Sequence, residues 1–218
     1  MHWTGIVVIV GYALIYVALH SGLASYAVKE WARQRFGGLS DRWYRLIYNG
    51  IATVLLLPLG VMLVKFPDQT LYILTTPWYE LAWGIEGLAA LGVLHGVSIT
   101  DAWSFLGIRQ VFDPECAATY RCAPLVVTGM YRWVRHPQYL FGLILLWCAP
   151  SMTLNRAALS VVFSLYLYIG TFLEERRLVA EYGEAYRRYQ RQVPRLFPWR
   201  GAVRVRLEQM TTRVNVSS

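Results

Sequence analysis

Seven residues have the types and spacing to act together: Tyr131, Arg135, His136, Pro137 and Tyr139 in one run, Glu174 and Glu175 in another. Between the runs lie two apolar stretches, 138–153 and 157–172, separated only by Leu154, Asn155 and Arg156. Each is about 24 Å long as a helix, and the short connection reads as a helical hairpin. The residues before its first helix and after its second then meet at one membrane face. Pro137 suits the first turn of the first helix. Two carboxylates, an imidazole and two phenol rings suit a cationic ligand, because negative charge and aromatic faces both attract one. The plainer alternative is that the acids pair with Arg135, Arg176 or Arg177 and that Arg135 and the tyrosines anchor the membrane interface.

Two further histidines stand inside apolar stretches, where ionisable groups are functional candidates by default. His20 follows Gly5 by 15 residues and His95 follows Leu81 by 14, so both lie about 21 to 22 Å from the outer ends of their spans. Either can serve as a base toward a thiol, or the pair can ligate haem between the first and third helices. Each can also simply bond a neighbouring helix carbonyl. Gly92 and Gly96 around His95 form a GxxxG suited to close helix packing.

Membrane helices must position these groups. The chain is 56% hydrophobic and 16% charged over 218 residues, against roughly 45 to 50% and 25% in soluble domains. The expected spans are 5–28, 47–64, 81–99, 138–153 and 157–172, followed by a tail at 173–218. The fold class is therefore all-α integral membrane, five transmembrane helices with a C-terminal hairpin and an amphipathic tail, in a single domain 1–218. Of the 21 Lys and Arg residues, 19 fall in the loops and tail on one side, while Lys65 and Arg156 fall on the other. The positive-inside rule then places the N-terminus outside and the C-terminus in the cytoplasm of a multi-pass inner-membrane protein. Topology explains the net charge of +8, and no nucleic acid is required.

Cys116, Cys122 and Cys148 indicate neither a disulfide framework nor a metal site. The first apolar run is too long for a signal-peptide core and reads as retained. In the tail, Tyr182, Tyr186 and Tyr189 share one face of an amphipathic helix among arginines, suited either to the leaflet surface or to a lid over a site.

The runs TGMYRWVRHPQYLFG (128–142) and LEERRLVAEYGEAYRRYQRQVPRLFP (173–198) resemble the isoprenylcysteine carboxyl methyltransferase and phospholipid methyltransferase superfamily. YRLIYN (44–49), DAWSFLGIRQV (101–111) and WCAPSMT (147–153) look like its bacterial methanethiol S-methyltransferase branch. HSGLAS (20–25) is shared with a related denitrification-associated membrane family. The resemblance implies an enzyme using S-adenosylmethionine. It carries cofactor contacts to Tyr131, His136, Pro137, Gln138, Tyr139 and Glu174, and to the backbone near Leu125 and Val126, with Arg135 and Glu175 matching the motif beside them.

Two departures bear on the acceptor. Isoprenylcysteine-type enzymes place an arginine four residues before the cofactor-binding glutamate to hold the substrate carboxylate; Gly170 stands there and cannot pair with one. Arg177 follows the two glutamates where the methanethiol branch leads one to expect an acid. The expected substrate is a small thiol such as methanethiol, with Arg135, His20 and His95 as groups to promote its ionisation. The alternatives are a prenylcysteine or lipid amphiphile, or a non-enzymatic or haem-binding membrane module.

Overall fold

The computed structural model describes residues 2–113 and 125–203. Cys116, Cys122 and the last part of the tail, 204–218, lie outside the described residues. In chain order the elements are α1 (His2–Ala24), α2 (Tyr26–Phe36), α3 (Gly38–Lys65), β1 (Thr70–Ile73), α4 (Trp78–Ile99), α5 (Ala102–Leu106), α6 (Ile108–Phe112), a 3-10 turn (Gly129–Arg132), α7 (Pro137–Trp147), β2 (Ser151–Thr153), α8 (Leu154–Tyr182) and α9 (Glu184–Gln192).

The protein is an all-α integral membrane protein. Among the described residues four helices, α1, α3, α4 and α8, are long and apolar enough to cross a membrane. They expose large apolar side chains such as Ile15, Leu57, Leu88 and Leu94, as helices facing lipid do. Three contact pairs build the bundle: α1 against α8, α1 against α3, and α4 against α7.

The expected fourth span differs. The apolar run 138–153 is helical only to Trp147, about 16 Å of rise, roughly half a hydrocarbon core. Pro150 has no amide hydrogen to continue a helix, and its carbonyl accepts from Leu74 N at 2.9 Å. Ser151–Thr153 pair antiparallel with Thr70–Ile73 instead. The hairpin bend is thus the segment 148–153, and Leu154 to Arg156 already belong to α8, with the Thr153 side chain capping Arg156 N.

The other bounds shift for similar local reasons. Ser25 is extended and caps α2 through Val28 N, so the first span stops at Ala24. The second begins as early as Gly38, and the last runs on to Tyr182, which puts Glu174 and Glu175 on the helix itself. The two charge-poor loops meet at one end, where Arg156 pairs with Glu86 at 3.1 Å. At the other end YRLIYN meets DAWSFLGIRQV: the Asn49 amide donates to the carbonyls of Phe105 and Leu106 at 2.9 and 3.0 Å.

Small residues let α7 lie close on α4. A Cβ on Gly92 would come 2.6 Å from the Phe141 ring, and one on Gly96 3.0 Å from Gln138. The GxxxG around His95 therefore seats the helix that starts at the RHP segment.

Candidate functional site

The site is built where the start of α7 meets the end of α8, and the chain after α9 clamps both. Arg135 N donates to Pro194 O at 2.9 Å and His136 N to Arg195 O at 3.1 Å, so the VPR segment pairs by backbone with the RHP segment. Pro137 then occupies the first turn of α7, and the His136 ring is held 4% exposed.

Glu174 and Glu175 are neighbours with different duties. Glu175 is buried and saturated: Arg135 Nε reaches its Oε1 at 2.8 Å, while Gln190 Nε2 and Arg195 Nη2 reach Oε2 at 2.9 and 3.1 Å. Arg135 also donates from Nη1 to the carbonyls of Gln190 and Val193, both at 2.7 Å. This strut ties α8 to the tail, and it engages Arg135 with protein acceptors. Glu174, by contrast, keeps 33% of its side chain exposed and faces His136 Nδ1 at 3.4 Å. It also interacts with the Tyr139 hydroxyl.

His136 bridges the two carboxylates, with Nε2 3.2 Å from Glu175 Oε1. Burial opposes its protonation, but the hydrogen bonds to Glu174 and Glu175 outweigh burial and raise its pKa above the ordinary 6.5. Tyr139 stacks on the imidazole, centroids 5.3 Å apart and planes 14° apart. Tyr131 donates to Gln138 Oε1 at 2.8 Å, and burial pushes its hydroxyl up to about 12, so it stays neutral. Leu125 packs against the buried cluster of Val127, Tyr186, Tyr189 and Val193; Val126 follows it, half-buried.

The structure thus brings together Tyr131, Arg135, His136, Pro137, Gln138, Tyr139, Glu174 and Glu175. His20 stands apart from these, on α1 against Tyr48. His95 is exposed on α4, beside the buried Gly96.

Sequence reasoning missed Gln190 and Arg195 as partners of Glu175 and Tyr189 as a clamp. Tyr189 donates to Tyr131 O at 2.7 Å. Their signal was the regular YxxYxxxVPR spacing. Tyr186 and Tyr189 are each 1% exposed, so this face of α9 packs over the site and not on a leaflet. A groove of about 790 Å³ opens on the Arg135 side of the hairpin, lined by Leu143, Leu165, Tyr168, Arg195, Trp199 and others, but not by His136, Tyr139 or Glu174.

The family model for phospholipid methyltransferase matches residues 85–185, from α4 through the RHP segment into α9. Methanethiol S-methyltransferase of Crocosphaera subtropica is 27% identical over 202 residues, covering 91% of this chain and 76% of that protein. Methanethiol S-methyltransferase 1 of Bradyrhizobium diazoefficiens is 26% identical over 195 residues, covering 87% of this chain and 65% of that protein. Nurim of Xenopus laevis is 30% identical over 171 residues, covering 72% and 57% respectively. No solved structure matches. The family match and the first two relatives support a membrane methyltransferase, which requires a methyl donor.

Proposed function

We propose that this protein transfers the methyl group of S-adenosylmethionine to a small thiol such as methanethiol, giving a thioether, within the bacterial inner membrane. The observation that carries the reading is the contrast between the two carboxylates. Glu175 has its charge satisfied by two arginines and a glutamine. Glu174 is left partly open beside an imidazole and a phenol. An open carboxylate among aromatic faces suits a sulfonium cation, so the donor set fits the cofactor.

Tyr131, His136, Pro137, Gln138, Tyr139 and Glu174 hold the cofactor, together with backbone near Leu125 and Val126. Arg135 and Glu175 keep those groups in register. When bound, the cofactor supplies a methyl on a sulfonium, already a good leaving group. What remains for the chain is alignment and exclusion of water. The α9 tyrosines, buried over the site, suit the second task.

Gly170 favours a small neutral acceptor over a carboxylated prenylcysteine. The space above it is filled by Tyr139, whose ring would lie 3.7 Å from a Cβ at that position, and glycine itself offers a carboxylate no charge. The test is an acceptor screen with labelled S-adenosylmethionine across thiols, selenols, prenylcysteines and phospholipids. Label in the thioethers supports the reading; label only in methyl esters or phospholipid overturns it in favour of an amphiphile.

A further inference from the structure

One cluster of polar aromatic groups lies inside the membrane and is not used by the cofactor residues. His20 of α1 sits among three tyrosines from three helices. The Tyr48 oxygen of α3 is 2.7 Å from its Nε2 and 3.2 Å from Nδ1. Tyr16, one turn earlier on α1, stacks on the ring at 5.7 Å with planes 24° apart, and Tyr166 of α8 meets it edge-on at 5.9 Å. Three phenols and an imidazole in one apolar bundle are costly to place there unless they satisfy one another or serve a reaction.

The cage and the cofactor residues are related through one face of α8. Tyr166, Gly170 and Glu174 recur at intervals of four on α8 and so share one face. Tyr166 lies about 12 Å along the helix from Glu174. Between them Tyr139 lies over Gly170, with a 3.7 Å approach to the Cβ position, and stacks on His136. Glycine at 170 thus lets Tyr139 lie on this face, between the donor residues and the end that carries Tyr166.

We infer that the His20 cage is the acceptor end of the site and that His20 takes the proton of the thiol, with Tyr48 as the residue that positions it. The inference rests on the thiol methyltransferase reading above. With the Nε2 hydrogen on the shorter, 2.7 Å contact to the Tyr48 oxygen, Nδ1, 3.2 Å from the same oxygen, is the nitrogen that carries the lone pair toward the substrate. In the step, the S–H bond breaks and its proton goes to Nδ1. The freed electron pair forms the new S–CH3 bond, and the pair of the breaking methyl–sulfonium bond stays on the donor sulfur. The positive charge leaves a sulfonium and arrives on an imidazolium, so the buried site keeps the same net charge throughout. The ring faces around His20, with Tyr16 stacked on it, suit the cation that forms.

The test has three arms. In the unaltered protein, ¹⁵N-histidine NMR is expected to find His20 protonated on Nε2 and bare on Nδ1, and Tyr48→Phe is expected to remove that preference. Calorimetry with S-adenosylmethionine is expected to give His20→Gln and Tyr48→Phe the unaltered donor affinity; failure of the unaltered protein to bind the donor would instead sink the cofactor reading. Kinetics complete the set. His20→Gln is expected to lose about 10²- to 10⁴-fold in kcat with an alkyl thiol and little with an acidic aryl thiol that enters already ionised. Tyr48→Phe is expected to lose less, in the same pattern. If His20→Gln fails to bind the donor, Tyr48→Phe decides by that pattern alone. An Nδ1-protonated His20, or equal losses with both thiols, overturns the inference.

Discussion

His136 Nδ1 stands 3.4 Å from Glu174 Oε2 while the opposite ring nitrogen faces Glu175 Oε1 at 3.2 Å. One imidazole thus joins a saturated carboxylate to an open one, and its charge state bears on both. Its pKa is raised above 6.5 because the two carboxylates outweigh burial. A group whose pKa is higher in the folded state stabilises fully below its unfolded pKa, and that contribution fades as pH rises through the folded value. The protein should lose thermal stability as pH climbs above about 6.5, and His136→Asn should flatten that part of the profile. Melts in detergent at about pH 6 to 9 check this; equal slopes for the two proteins contradict it.

The neighbouring glutamates should separate by phenotype. Glu174→Gln should weaken binding of S-adenosylmethionine by about 1 to 3 kcal/mol, the scale of a lost charge-assisted hydrogen bond, with a smaller drop in melting temperature than Glu175→Gln. Glu175→Gln leaves Arg135, whose side chain is 8% exposed, without its carboxylate, and breaking a buried pair costs about 3 to 5 kcal/mol. Calorimetry and thermal melts on both variants read the difference, and wild-type donor affinity in Glu174→Gln removes that residue from the pocket.

Gly170→Arg should not create a carboxylate site that serves thiols. The Tyr139 ring and hydroxyl lie 3.7 and 3.8 Å from the Cβ position, ordinary contact for a Cβ, and an arginine extending beyond that Cβ competes with Tyr139 for the space over α8. Loss of thiol methylation is expected, measured as product per time at saturating donor. Undiminished turnover contradicts the placement of the acceptor beside Tyr139.

The charge count predicts that the C-terminus is cytoplasmic. A reporter active only in the cytoplasm should work when fused after Ser218 and stay silent when inserted near Asp68. The reverse pattern inverts the orientation.

The hairpin and its cluster were legible because a motif with helices on either side leaves few ways to place Arg135, His136, Glu174 and Glu175. The length of α7 was not. Residues 138–153 are apolar throughout, and only the pairing of Ser151–Thr153 with Thr70–Ile73, distant in sequence, ends the helix early. Nor did periodicity choose between a leaflet and a lid for Tyr186 and Tyr189, because either environment accepts an amphipathic helix. The backbone bonds of Pro194 and Arg195 to Arg135 and His136 decide it by folding the tail back. The His20 cage escaped for the same reason. Tyr16 and His20 share a face on α1, but Tyr48 and Tyr166 join them only through packing of three helices.

The most direct measurement is headspace gas chromatography over purified protein reconstituted in lipid and given methanethiol with S-adenosylmethionine. Dimethyl sulfide is expected, formed in proportion to protein and strongly reduced in Glu174→Gln at limiting donor. Calorimetrically confirmed donor binding with no dimethyl sulfide would contradict the thiol assignment.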